Sequence, residues 1–117
     1  MTATSYITYI DANNGIQVHN YNNVTDYIQI NSDAISMYRG YEGDLGLNSK
    51  ETLRIEDENI RVGKLGANER NVFVTSSNVQ IRNNENVLAS YGDEITFYRP
   101  GTSNSTFSIN SSNIRIG

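Results

Sequence analysis

The chain has 117 residues and no cysteine, and 37% of it is hydrophobic, 8 of those residues being Tyr. Its length fits one domain, and the missing cysteines exclude disulfides, thiol nucleophiles and thiolate metal sites. A net charge of −4, with 9 basic residues scattered singly, excludes the Lys/Arg stripe that nucleic-acid binding needs.

Leaving out Tyr and adding the 9 Gly puts the apolar share at about 38%, against the ~45–50% of ordinary domains. Leu, Ile, Val and Phe still supply about a quarter of the chain, above the roughly 20% below which sequences stay disordered. The chain is therefore expected to fold around a thin core, or around one shared between copies. No apolar run approaches the roughly 18 residues of a membrane span. The opening Met1–Ser5 lacks the basic region and apolar stretch of a secretion signal, so none is expected.

Residues 1–7 are read as a flexible N-terminal segment and residues 8–117 as one segment built from repeats. The repeat is a pair of apolar residues two apart, four intervening residues, then a second such pair. It enters imperfectly as Thr8/Ile10 and Ile16/Val18, with one residue added and a strong Asn14-Gly15 turn signal between. It then runs cleanly as Ile28/Ile30 with Ile35/Met37, as Leu53/Ile55 with Ile60/Val62, and as Val72/Val74 with Val79/Ile81. Ala89/Tyr91 with Ile95/Phe97 lacks one residue, and Leu88/Ser90 is an alternative register there. Phe107/Ile109 with Ile114/Ile116 closes the chain. Side chains alternate faces along a strand, so each pair puts two apolar groups on one face of a short strand.

Between the pairs lie turn-forming residues such as Asn31-Ser32-Asp33 and Asn110-Ser111-Ser112-Asn113. No stretch shows helical periodicity, and Ile, Val, Thr, Tyr and Phe dominate the periodic segments, as strands favour. The joins between units are uneven, the longest being residues 40–48 with three glycines and residues 63–71; Pro100-Gly101 marks another turn. A unit that buries one narrow face needs copies of itself beside it. Uneven joins speak against a single-chain solenoid, whose coils keep a nearly fixed length, and favour three identical chains around a common axis.

Several stretches resemble a known family. Tyr9-Ile10-Asp11 with Gly15-Ile16-Gln17-Val18-His19, and Asp26 through Gly40, resemble repeats in tail proteins of bacteriophages that infect Gram-positive bacteria. Leu88-Ala89-Ser90-Tyr91-Gly92-Asp93-Glu94-Ile95-Thr96-Phe97-Tyr98 is similar to the leucine-alanine-serine-aromatic-glycine units of the same proteins. The resemblance covers most of residues 8–117 and implies a homotrimeric, intertwined β-helical shaft or spike. Ala34 departs from it, standing where the family often has glycine, and the two long joins are less regular than the simplest repeats. The family's lytic regions lie outside segments of this kind, so no catalytic residue carries over.

Chemistry is sparse. Alternation with Val18 sends His19, the only histidine, outward, away from any axis where three copies would form a metal site. Glu56-Asp57-Glu58 and Asp93-Glu94 read as solvated turns, because neighbouring turn residues point apart and match no calcium loop. No Gly-x-Ser-x-Gly elbow occurs, and Gly43-x-x-Gly46 lacks the Lys and helix of a phosphate loop. Tyr27, Tyr38, Phe73 and Tyr98 fall on outward or edge positions, where rings either stack on sugars or pack over neighbouring strands; packing is preferred.

The expected fold is all-β, a homotrimeric triple-stranded β-helix with little or no helix. Its inward residues are Ile28, Ile30, Ile35, Met37, Leu53, Ile55, Ile60, Val62, Val72, Val74, Val79, Ile81, Phe107, Ile109, Ile114 and Ile116. Each contributes on the order of 1.5–3 kcal/mol when fully buried. The expected role is structural, as a stiff segment of a phage or phage-derived tail fibre or spike. Recognition of a host cell-surface polysaccharide is the alternative, and glycan degradation a distant third. No enzyme activity, cofactor, metal or nucleic acid is expected, and no membrane insertion. Partners would be two further copies, other tail proteins and a surface glycan. Location would be the virion or an extracellular phage-derived particle made in the bacterial cytoplasm. The finish at Ile116-Gly117, just after a full repeat, leads to the expectation that the natural chain continues or that this is an excised piece.

Overall fold

A computed structural model describes residues 6–20, 25–40 and 49–117. Among these residues all regular structure is β. The first unit, Met1–Asp57, carries β1 (Tyr6–Asp11), β2 (Gly15–Asn20), β3 (Tyr27–Ile30), β4 (Ala34–Gly40) and β5 (Ser49–Glu56). The second, Glu58–Gly117, carries β6 (Asn59–Gly63), β7 (Arg70–Thr75), β8 (Val79–Asn83), β9 (Asn86–Tyr91), β10 (Ile95–Tyr98), β11 (Ser105–Ile109) and β12 (Ile114–Ile116). The all-β class expected from the sequence is the class the chain adopts. Within each unit every strand pairs antiparallel with the next in sequence, giving a meander.

This pairing explains the repeat. Ile30 lies opposite Ile35 and Ile28 opposite Met37, so two successive pairs are the two arms of one β-hairpin. Val74 with Val79, Val72 with Ile81, Ile109 with Ile114 and Phe107 with Ile116 do the same. In four hairpins the side chain of the residue just after the first pair ties the turn. Asn31 Oδ1 accepts from the Asp33 and Ala34 amides at 2.8 and 3.1 Å, and Asn110 Oδ1 from Ser112 and Asn113 at 2.8 and 3.0 Å. Thr75 Oγ1 accepts from Ser77 and Asn78, both at 3.1 Å. Asp11 Oδ1 accepts from Asn13 and Asn14 at 2.8 and 2.7 Å. Short Asn, Asp, Ser and Thr side chains offer the backbone this local partner, which is why they punctuate the sequence there. Uneven joins at the other strand ends are no obstacle, because neighbouring strands pair directly.

The joins carry the registry corrections. One extra residue sits in β5 between the Met37–Leu53 and Tyr38–Glu51 pairs, and the Thr52 hydroxyl that occupies it donates to the Met37 carbonyl at 3.4 Å. Thr106 repeats the device in β11, donating to the Phe97 carbonyl at 3.3 Å. Leu88 is the extra residue of β9, so Ala89 and Tyr91 keep the repeat's register and the Leu88/Ser90 alternative does not hold. A bulge adds one residue to one strand and so restores the alternation that a longer join would reverse.

The sheets are single-layered, and their exposure is inverted from the usual order. Of the hydrophobic residues described, only Ala34 and Ala89 are buried, at 7% and 6% exposure. Among the described residues Ser36 is the most buried side chain, 1% exposed, because it lies between the longer Gln29 and Arg54 on flanking strands. Thr96 and Ser108 are also buried and lie opposite one another, with Ser90 on the far side of Thr96 and Arg115 on the far side of Ser108.

Two turn predictions follow from this geometry. Gly15 has φ +75°, and a Cβ there would overlap the Ile30 carbonyl and Asn31. Gly15→Ala therefore lowers stability by roughly 1–3 kcal/mol in chemical denaturation, the range for forcing a left-handed, crowded site. The Asn14 amide, outweighing desolvation and helped by the Asn13 amide and the Asn14 side chain, holds the Asp11 carboxyl below its ordinary 3.8. A depressed folded pKa means that this turn's stabilisation is complete above 3.8 and lost as pH falls through the lowered value. NMR titration of the Asn14 amide should show that acid limb, and Asp11→Asn, which keeps the cap as Asn31 does, should flatten it.

Candidate functional site

The cross-strand register gathers the apolar pairs into two continuous rows on one face of each unit. In the first unit the rows are Ile10–Ile16–Ile30–Ile35–Ile55 and Thr8–Val18–Ile28–Met37–Leu53. In the second they are Ile60–Val74–Val79–Tyr91–Ile95–Ile109–Ile114 and Val62–Val72–Ile81–Ala89–Phe97–Phe107–Ile116. No charged side chain interrupts any row. Ile30, Ile35 and Ile55 remain about two-fifths exposed, and Ile116 reaches 79%. Within each unit the expected inward residues thus share one face, and the described residues do not bury them. Contiguous apolar surface of this extent is the mark of an interaction face.

Detail within the rows differs between the units. In the first, Val18, Ile28 and Met37 floor a shallow hollow rimmed by Asn20, Asp26 and Arg39. Its rim is fixed by an Arg39–Asp26 ion pair at 3.3 Å and by the Gly40 amide donating to Asp26 Oδ1 at 2.8 Å. In the second, Tyr91, Phe97 and Phe107 form a ring cluster with centroid separations of 6.2 and 5.5 Å.

The reverse face is polar and covers itself. In the first unit Tyr9, His19, Tyr27 and Tyr38 form a row across β1–β4. Tyr9 meets His19 edge-on at 5.2 Å, His19 stacks on Tyr27 at 4.3 Å, and Tyr27 stacks on Tyr38 at 4.5 Å. The row ends where the Tyr38 hydroxyl donates to Glu51 at 3.1 Å. Partial burial and then the Glu51 carboxylate raise the Tyr38 pKa above 10.0. Arg54 bridges Glu51 and Glu56, each at 3.2 Å.

Parity places His19 on this polar face, as expected. Tyr27 and Tyr38 lie there too, and Tyr27 is stacked between His19 and Tyr38, so rings flank it on both sides. Phe73 has its face covered by Arg82, whose guanidinium carbon lies 4.1 Å from the ring centroid. Tyr98 lines a shallow depression with Glu85, Val87 and the turn at Gly101–Ser103. Asp57, Glu58, Asp93 and Glu94 are exposed in turns. Gly43 and Gly46 lie outside the described residues. Among the described residues no three of His, Asp and Glu gather as metal ligands. The Arg61, Phe73 and Arg82 group was not singled out from the sequence. Its only signal is two arginines and one ring at outward positions, 12 and 9 residues apart, and only the register brings them together.

The chain matches no protein-family model, and it matches no curated protein and no solved structure. Function must therefore be argued from these two faces.

If the ring row is packing, Tyr27→Ser removes two stacked contacts and lowers stability by about 1–3 kcal/mol, at ~0.5–1.5 per ring pair. A change that weakens glycan binding while the melting curve stays put would assign the row to a ligand instead.

Proposed function

We propose that the chain is a stiff structural segment of a phage or phage-derived tail fibre or spike, in which three copies close their apolar faces around one axis. The observation that carries this reading is the pair of uncharged, exposed apolar rows running through each unit. Strand length supports three copies in particular. Packed sheets stand about 10 Å apart, so each wall of a filled prism lies about 5 Å from its axis. An equilateral prism of that size has sides of about 17 Å, the length of about five residues at ~3.4 Å each. Most of the strands have four to six residues, and a strand of five turns two side chains inward.

The resemblance to phage tail repeats supports the biological setting. Each resembling stretch falls within a single hairpin: Tyr9–His19 on β1 and β2, Asp26–Gly40 on β3 and β4, Leu88–Tyr98 on β9 and β10. In this role the segment belongs to the virion, is made in the bacterial cytoplasm, and acts by holding its neighbours at a distance. The apolar burial that stabilises it comes with association, so assembly and folding are coupled.

Light scattering of the chain should give three times the 13.1 kDa protomer mass. Ile30→Asp puts three like charges at one level of the axis and should abolish assembly, leaving unfolded or aggregated chain. A soluble Ile30→Asp monomer that melts as the parent does would sink this reading. Release of reducing ends from a capsule polysaccharide would replace it with a hydrolytic one.

A further inference from the structure

On the polar face of the second unit, three strands bring two arginines around one ring. Arg61 of β6 lies directly across from Phe73 of β7, and Arg82 of β8 lies across from Asn71, two residues from Phe73. Arg82 is held at two points: over the Phe73 ring at 4.1 Å, and by Nε donating to Asn71 Oδ1 at 2.9 Å. Asn71 is itself buried, and its Nδ2 donates to the Asn84 and Lys64 carbonyls at 2.8 and 3.3 Å. Arg61 is only 6% exposed, with Nε donating to the Gly63 carbonyl at 2.9 Å. The two Nη atoms of Arg82 make no hydrogen bond, and Arg82 no ion pair, with the described residues.

This arrangement gathers positive charge. Burial first, and then the charge of Arg61, push the Arg82 pKa down, while Glu85 in the adjacent turn acts weakly the other way. Like charges held together repel, and a bound anion relieves that repulsion. Guanidinium is planar, and with Nε tied to Asn71 its Nη edge is already oriented for two parallel bonds to an oxyanion. An arginine fixed in advance by a ring and an amide loses little freedom on binding.

We propose that Arg82, supported by Arg61 and seated on Phe73 and Asn71, anchors a binding site for an oxyanion: a carboxylate, phosphate or sulfate group carried by an acidic polymer. The site faces away from the apolar rows, so it does not depend on how those rows are covered. It would give the segment a recognition function besides its structural one.

The test is an NMR titration of the full chain with methyl phosphate, glucuronate and inorganic sulfate at constant ionic strength, reading the arginine Nε–H, the Phe73 ring and the backbone amide signals of β6–β8. Saturable shifts should centre on Arg82 and Phe73. Arg82→Gln should weaken binding about tenfold or more, the loss expected for a charge-assisted pair. Glu85→Gln, at an exposed turn, should tighten it about two- to threefold by removing a competing charge. Preference for methyl phosphate over glucuronate would point to a phosphodiester polymer, and the reverse order to an acidic sugar; either supports the site. Non-saturating shifts shared alike by all arginines, or equal binding by Arg82→Gln, would overturn it, as would weaker binding by Glu85→Gln.

Discussion

A sheet one layer thick has no second layer to cover its apolar side, and that constraint governs the rest of this molecule. Antiparallel sheets commonly set one face on a core and leave the other wet. Here the apolar pairs of each unit fall on one side, yet the described residues supply no helix to lie on it. Burial therefore falls largely to polar residues: Ser36 is hidden between Gln29 and Arg54, and Thr96 and Ser108 lie buried opposite one another, while isoleucines stand open. Such a sheet gains much of its apolar stabilisation only when something else closes it, which is why association is central to its proposed role.

Local chemistry keeps the two apolar rows straight across many strands. Asp11, Asn31, Thr75 and Asn110 cap the turns at one end of the hairpins, so the first strand stops at the same point each time. At the other end, joins of different lengths are tolerated because bulges at Thr52, Leu88 and Thr106 absorb the odd residue. A slip by one residue would turn every isoleucine of a strand to the wet face, so these corrections decide whether an apolar face exists at all.

The two faces divide the labour. Aliphatic rows offer area without chemistry. The reverse face holds the directional groups: the Tyr9–His19–Tyr27–Tyr38 row, the Glu51–Arg54–Glu56 bridge, and the two arginines at Phe73. Most of those groups satisfy one another, and that mutual satisfaction keeps a thin sheet from fraying. Arg82 keeps both Nη atoms without a hydrogen bond to the described residues.

Much of this was readable from residue order alone. Period-two apolar pairs, turn-formers between them and the absence of helical spacing set the strand class and the face of each pair, because alternation and turn preference are properties of neighbouring residues. The outward parity of His19, Tyr27 and Tyr38 was readable for the same reason. Three things were not. Which pair lies opposite which depends on the ladder, so the repeat proved to be a hairpin within one chain. The choice between Ala89/Tyr91 and Leu88/Ser90 rested on a bulge that no propensity marks. The meeting of Arg61, Phe73 and Arg82 needed three strands in register, since side chains far apart in sequence acquire a common site only when backbone hydrogen bonds fix their alignment.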